Sequence, residues 1–217
     1  MEIVIFTLFP EFFKGPFEAS ILGKANTDKQ LLKVVNIRDF ATDKHKVTDD
    51  RPYGGGPGMV MKVEPIDLAL SAHSFKKGTV DEKIILTSAQ GGVYTQETAK
   101  NFAQLKRIAI ICGHYEGVDE RITENLIDEE LRIGDYVMTG GEPAAIVIVD
   151  SVVRLLPGVL GNEASNQGES HDQPGQLGFP QYTRPEVYKN WSVPEVLLTG
   201  DHKKIVAWRE SKRKKSN

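Results

Sequence analysis

The sequence predicts an α/β fold, a mostly parallel sheet with helices on both faces. Short β-branched runs alternate with segments whose apolar residues recur at helical spacing, the order expected when parallel strands are joined by crossover helices. The runs Ile84-Ile85-Leu86 and Ile108-Ala109-Ile110-Ile111 are apolar on consecutive residues, which suits strands covered on both sides. Glycines punctuate successive strand ends at Gly113, Gly117, Gly134, Gly140 and Gly141. In such sheets the ligand site is expected in the loops after the carboxyl ends of the strands.

Taken in order, residues 3–8 form the first strand. They lie in an apolar N-terminus with no basic region ahead of it and no small-residue cleavage site, so a signal peptide is not expected. Further strands are predicted at residues 31–37, 83–87, 107–112 and 130–133, with helices over 63–75, 96–105 and 118–126. Pro143 opens another helix, 144–156, where its missing N–H costs nothing. The apolar run at 144–149 is far short of the roughly 20 residues that cross a bilayer, so no membrane association is expected. Residues 157–180 are dense in Gly, Pro, Asn, Gln and Ser and read as a linker or mobile loop. A small segment with Trp191, Trp208 and a helical pattern over 201–212 follows. The expected organisation is a main domain over 1–160, a linker over 161–180 and a C-terminal segment over 181–217.

Composition narrows the function classes. With 40% apolar and 26% charged residues the chain is an ordinary globular protein. Cys112 is the lone cysteine, which excludes an internal disulfide and a cysteine zinc cage and points to the cytoplasm. At the end of an apolar run it reads as a small buried residue. From Lys203 onward seven Lys or Arg face one Glu, a tail of +6 within a net charge of −3, which leaves −9 for the rest. Such a tail suits an acidic partner such as RNA, or is a solvated terminus.

The phosphate signatures GxGxxG and GxxxxGK[ST] are missing, which favours a ligand gripped by backbone groups in loops over a nicotinamide or ATP site. The segment from Asp49 to Gly58 is too rich in Gly and Pro to continue a helix or central strand. Its Arg51 and Tyr53 offer a phosphate-pairing fork and a stacking ring for an RNA base, or Arg51 pairs with a neighbouring Asp. Asp150 and Arg154 stand four apart on one helix face, as an ion pair or as a device that holds the guanidinium. Glu169, His171 and Asp172 lie in the linker, as solvated residues or as acid–base groups on a loop that closes over a site. His45, His73, His114 and His202 have no metal-site spacing, and no metal ligand is assigned.

The strings DDRPYGGGPGMVM, CGHYEGVDERI, IDEELRIGDYVMTGGE, DSVVRLLPGVLGNEAS and FPQYTRPEVY together closely resemble the bacterial tRNA (guanine-N1)-methyltransferase family, over nearly the whole chain. The resemblance implies the SPOUT class, with a deep trefoil knot in the parallel sheet and a homodimer holding two sites. It implies S-adenosylmethionine gripped by Leu86, Ser88, Gln90, Gly113, Tyr115, Glu116, Gly117, Ile133, Gly134, Asp135, Tyr136, Val137, Met138, Gly140 and Gly141. It implies tRNA held by Asp50, Arg51, Tyr53, Gly54, Gly55 and Arg184. The reaction it implies is methyl transfer to N1 of the guanine just 3′ of the anticodon, in the cytoplasm, with Arg154, Glu169 and Glu116 as catalytic residues. Magnesium assistance is not readable from the sequence.

Three departures from the family pattern stand out. Glu169-Ser170-His171 replaces the family's Asp-Ser-Phe, so Glu169 or Asp172 supplies the base. Gly140-Gly141-Glu142-Pro143 brings the proline one place early, and the chain stops at Asn217, short of the family's further C-terminal helices. Two alternatives stay open: an RNA- or cofactor-binding protein of the same fold with weak or lost catalysis, and a nucleotide hydrolase.

Overall fold

The computed structural model describes residues 1–161, 168–173 and 175–215. The remainder of the expected linker and of its motif string, residues 162–167 and 174, lies outside the described residues, as do 216–217. The chain divides into two compact units, Met1–Gly161 and Asn162–Asn217.

In the first unit β1 (Glu2–Thr7), α1 (Ser20–Lys29) and β2 (Leu32–Asn36) are followed by two-residue strands β3 (Asp49–Asp50) and β4 (Val60–Met61). Then come α2 (Val63–Ala72), β5 (Glu82–Val93), α3 (Gln96–Phe102) and β6 (Arg107–Cys112). Next are α4 (Glu120–Asn125), β7 (Glu129–Arg132) and α5 (Glu142–Val153). Five strands form one sheet in the order β2-β1-β6-β5-β7, every pair parallel.

The consecutive apolar runs have their explanation in a core on each face. Ile3, Ile5, Ile85, Ile108 and Ile110 join one cluster, which α1, α3 and α5 cover with Leu22, Phe102, Ile148 and Val152. Val4, Phe6, Ile84, Leu86, Ala109 and Ile111 join the other, under Ile66, Leu70 and Ile122 of α2 and α4. Successive side chains of a strand point to opposite faces, so each strand alternates between the two cores.

Three features depart from the sequence expectation. Helix α1 had not been predicted; only Leu22, Gly23 and Ala25 of its ten residues are buried, too thin a stripe to give a helical period. The short pairing β3–β4 likewise gives no alternation to read. Strand β5 does not end at Thr87. Leu131 of β7 pairs with both Thr87 and Gly92, so residues 88–91 loop out of the ladder and the strand resumes to Val93. Gly91 makes that bulge possible, because a Cβ there would fall 2.4 Å from the backbone of Glu130. Pro143 stands in the first turn of α5, as expected.

The second unit contains β8 (Val187–Tyr188) paired antiparallel to β9 (Trp191–Ser192), and α6 (His202–Lys212), capped by Asp201. Lys189 Nζ stands 5.6 Å from the ring centres of both Tyr188 and Trp191. Arg213 donates to the carbonyl of Gly168 at 3.1 Å.

Candidate active site

The bulge within β5, the loops after β6 and β7, and the first residues of α4 and α5 surround a cavity of about 270 Å³. Its walls are laced by the backbone. Gly141 N–H donates to Gly113 O at 2.7 Å, and His114 bridges Gly140 in antiparallel fashion, which ties the loop after β6 to the loop after β7. Gly141 cannot carry a side chain here: a Cβ would lie 1.9 Å from Thr87 Oγ1 and 2.9 Å from Gly113 N. Residues 114–117 form a tight turn, Gly117 N–H to His114 O at 3.1 Å, with Tyr115 held at φ 60°. That left-handed conformation is strained for an aromatic residue, and such strain concentrates at functional sites.

The glycine-rich segment 50–58 is fastened to the same wall. Glu116 N–H donates to Met59 O at 3.0 Å, Met61 N–H to Gly117 O at 3.0 Å, and Asp119 N–H to Met61 O at 2.9 Å. Asp50 accepts from Arg51 N–H at 2.7 Å. Arg51 is exposed, Tyr53 is 102% exposed, and Gly54 and Gly55 occupy positive φ. The structure thus brings this segment to Glu116 through β4, a meeting that no spacing in the sequence announces.

Of the residues expected to grip a cofactor, all line the cavity except Asp135. Asp135 turns outward, 84% exposed, to hold Arg132 Nε at 2.8 Å. Arg132 Nη1 also donates to Gly91 O, so its charge braces the bulge. The walls further include Thr87, Ala89, His114, Glu120, Thr123, Glu130, Arg132 and Thr139, which the sequence had not singled out. Three acidic residues, Glu116, Glu120 and Glu130, thus line the cavity with one arginine, whose guanidinium is already engaged. That balance suits a cationic ligand and disfavours the phosphates of a nucleotide.

Beneath the cavity, Cys112 is fully buried, and burial, then the nearby Glu142 charge, pushes its thiol pKa well up. It is inert, as its sequence context suggested. Glu142 is itself 2% exposed; Thr7 Oγ1 donates to its Oε1 at 2.8 Å, and its Oε2 lies 3.8 Å from His114 Nδ1. At the side, Tyr94 hydroxyl meets Ser151 Oγ at 2.7 Å, and burial raises its pKa to about 12 against that hydrogen bond.

The remaining expected residues belong to other elements. Arg154 caps the far end of α5, ten residues beyond Ala144 in the cavity wall, about 15 Å along the helix axis. Glu169 and Asp172 belong to a turn of the second unit: Asp172 N–H donates to Glu169 O at 3.3 Å, and Asp172 Oδ2 accepts from Gly168 N–H at 3.2 Å. Arg184 is exposed in the same unit. Among the described residues, no group of three or more His, Cys, Asp or Glu could hold a metal ion. Among them, too, no helix is long and apolar enough to cross a membrane.

Comparison with known proteins agrees over the whole length. A family model described as tRNA (Guanine-1)-methyltransferase TrmD matches residues 1–217. A protein of Dehalococcoides mccartyi named tRNA (guanine-N(1)-)-methyltransferase is 50% identical over 211 residues, 96% of this chain and 84% of its own. Proteins of the same name from Carboxydothermus hydrogenoformans (50% over 212 residues, 97% of this chain and 81% of theirs) and Staphylococcus epidermidis (49% over 215 residues, 98% and 86%) are similar throughout.

Proposed function

The chain belongs to the tRNA (guanine-1)-methyltransferase family, and from that premise we propose how its own residues carry out the reaction. It is an enzyme that methylates N1 of guanine in tRNA. The finer reading is that the donor is S-adenosylmethionine, held in the cavity at the ends of β5, β6 and β7, and that the target is the guanine 3′ of the anticodon.

The acidic, glycine-laced cavity carries this reading. A sulfonium and an ammonium group fit three acidic residues and one occupied arginine, and the close packing of Gly141 on Thr87 and Gly113 leaves a wall of backbone groups to grip the rest of the donor. Bound there, the donor supplies an electrophilic methyl group. The residues of the chain do the rest. Backbone groups of Gly113, Gly117, Gly134 and Gly140 hold the donor, and the segment bearing Arg51 and Tyr53 receives the RNA beside Glu116. Guanine N1 carries a proton at neutral pH, so a base must remove it as the methyl arrives. Negative charge then grows toward O6, where the Arg154 guanidinium stabilises it.

Because Arg154 stands at the far end of α5 from the cavity of its own chain, we assign the active form as a homodimer in which a second copy's Arg154 completes the site. The family's knotted threading extends to this chain, supported by the backbone bond of Gly141 to Gly113. Residues 181–217, with their basic end and Arg184, serve the RNA after a linker at 161–180, and the enzyme works in the cytoplasm with its substrate.

Glu169 is the base in this reading. The Asp172 carboxylate has a local structural task in capping its own turn. Single-turnover transfer of labelled methyl to a tRNA transcript tests the assignment. Glu169→Gln is expected to slow transfer by about 10²–10⁴-fold with donor affinity nearly intact, and Asp172→Asn by much less. The reverse ranking would move the base to Asp172. Transfer that persists when the guanine 3′ of the anticodon is replaced would overturn the target.

A further inference from the structure

His114 lines the cavity, yet its Nδ1 is buried with no hydrogen-bond partner. The group it faces is Glu142 Oε2, 3.8 Å away. Glu142 is fixed from behind. Phe9 N–H donates to Thr7 Oγ1 at 2.9 Å, which commits the Thr7 proton to Glu142 Oε1 at 2.8 Å. Glu142 stands in the first turn of α5, 2% exposed. Oε2 is the acceptor nearest to the imidazole nitrogen, and it is that nitrogen, buried and unmet, that is costly unless the two pair. The ring has little freedom to turn away, packed on Phe9 at 4.8 Å and edge-on to Tyr115 at 4.9 Å.

Only one tautomer of the neutral ring satisfies both groups. We propose that Glu142, braced by Thr7, fixes His114 as its Nδ1–H tautomer, and that this pair latches the loop after β6 to the loop after β7 in the geometry that binds the methyl donor. Gly140 is the seam: a Cβ there would lie 2.5 Å from both Glu142 Oε2 and His114 Nδ1, so the two loops close over the pair only with glycine between them. A contraction of roughly 0.6 Å or a little more brings 3.8 Å into hydrogen-bond range. His114 is a positioning residue in this account, since its effect runs through the loop that carries Tyr115, Glu116 and Gly117. The inference rests on the reading of the cavity as the donor site.

Long-range ¹H–¹⁵N spectra of the labelled full chain read the tautomer directly, with His114→Asn identifying the signal among the five histidines. We expect a protonated Nδ1 and a bare Nε2 in the wild type, and loss of that preference in Glu142→Gln. A wild-type ring protonated at Nε2 instead would overturn the latch. Calorimetry with S-adenosylhomocysteine reads the consequence. His114→Asn, whose amide N–H stands where Nδ1–H was, should bind within about threefold of the wild type, and His114→Leu about tenfold or more weaker. Equal binding by His114→Leu would sink the latch, whereas a wild type that binds no S-adenosylhomocysteine would sink the donor-site reading itself. Should His114→Leu fail to fold in a thermal melt, the wild-type tautomer and His114→Asn still decide.

Discussion

The two ends of the parallel sheet are built on opposite principles. At the amino ends of β1, β5 and β6, polar groups are matched to one another. Arg107 donates to Glu2 Oε2 at 2.8 Å, to Glu82 at 3.3 Å and to His73 O at 2.9 Å, and lies 4.1 Å over the Phe75 ring. Desolvation opposes its charge, but the bonds and charges of Glu2 and Glu82 more than offset this and raise its pKa. At the carboxyl ends, carboxylates outnumber cations, glycine replaces side chains and Tyr115 is strained. A saturated end holds the fold together; an unsaturated end waits for a ligand. The same five strands serve both because every strand runs in the same direction.

The contrast is broken most sharply at Gly141. An alanine there would drive a methyl into the buried Thr87 Oγ1 and to 2.9 Å from the backbone nitrogen of Gly113, which cannot rotate aside. We expect Gly141→Ala to abolish S-adenosylmethionine binding by calorimetry and to lower methyl transfer at least about 10³-fold, by spoiling the geometry of donor and base. Near-normal binding would mean that the cavity is not the donor site. At the saturated end, Arg107→Met should do the reverse. Losing charged hydrogen bonds and a ring contact costs about 2 kcal/mol, a fall in melting temperature of roughly 4–8 °C for a chain of this size, with donor affinity unchanged. A loss of affinity without a loss of stability would erase the division between the ends.

How much of this could be read from the sequence differs between the ends as well. The runs through Ile84 and Ile108 announced strands buried on both faces, because two-sided burial leaves its mark on consecutive residues. The glycines marked the cavity, because the loops that wall it pack so closely on one another that side chains are excluded at Gly113, Gly140 and Gly141. What escaped depended on partners distant along the chain. Glu142 meets Thr7 across 135 positions, Arg107 meets Glu2 across 105, and no local pattern encodes either pair. Asp135 sits in the midst of the cavity loop, yet faces outward because Arg132, three residues earlier, takes its carboxylate. Strand β5 was cut short at Thr87 because Gly91 and Gly92 read as a strand's end, whereas the structure uses them to bulge and resume. Helix α1 was lost because a helix that buries three residues leaves almost no period.

A last and smaller test compares the two histidines, one at each end. His73 packs against Phe6 and Phe40, with Nδ1 3.4 Å from Lys33 Nζ, and burial, followed by the charge of Lys33, lowers its pKa. A histidine whose folded pKa is depressed contributes stability that is present above its unfolded value, near 6.5, and is lost as pH falls through the folded value. Denaturant melts of the wild type should therefore lose stability as pH falls below about 6.5, and His73→Phe, which keeps a ring among the aromatics, should flatten that slope. The effect is modest because the site is only partly buried and Glu2 partly opposes the shift. An unchanged slope in His73→Phe would show that the amino end tolerates a further cation beside Lys33 and Arg107, and its description as a closed and balanced end would fail there.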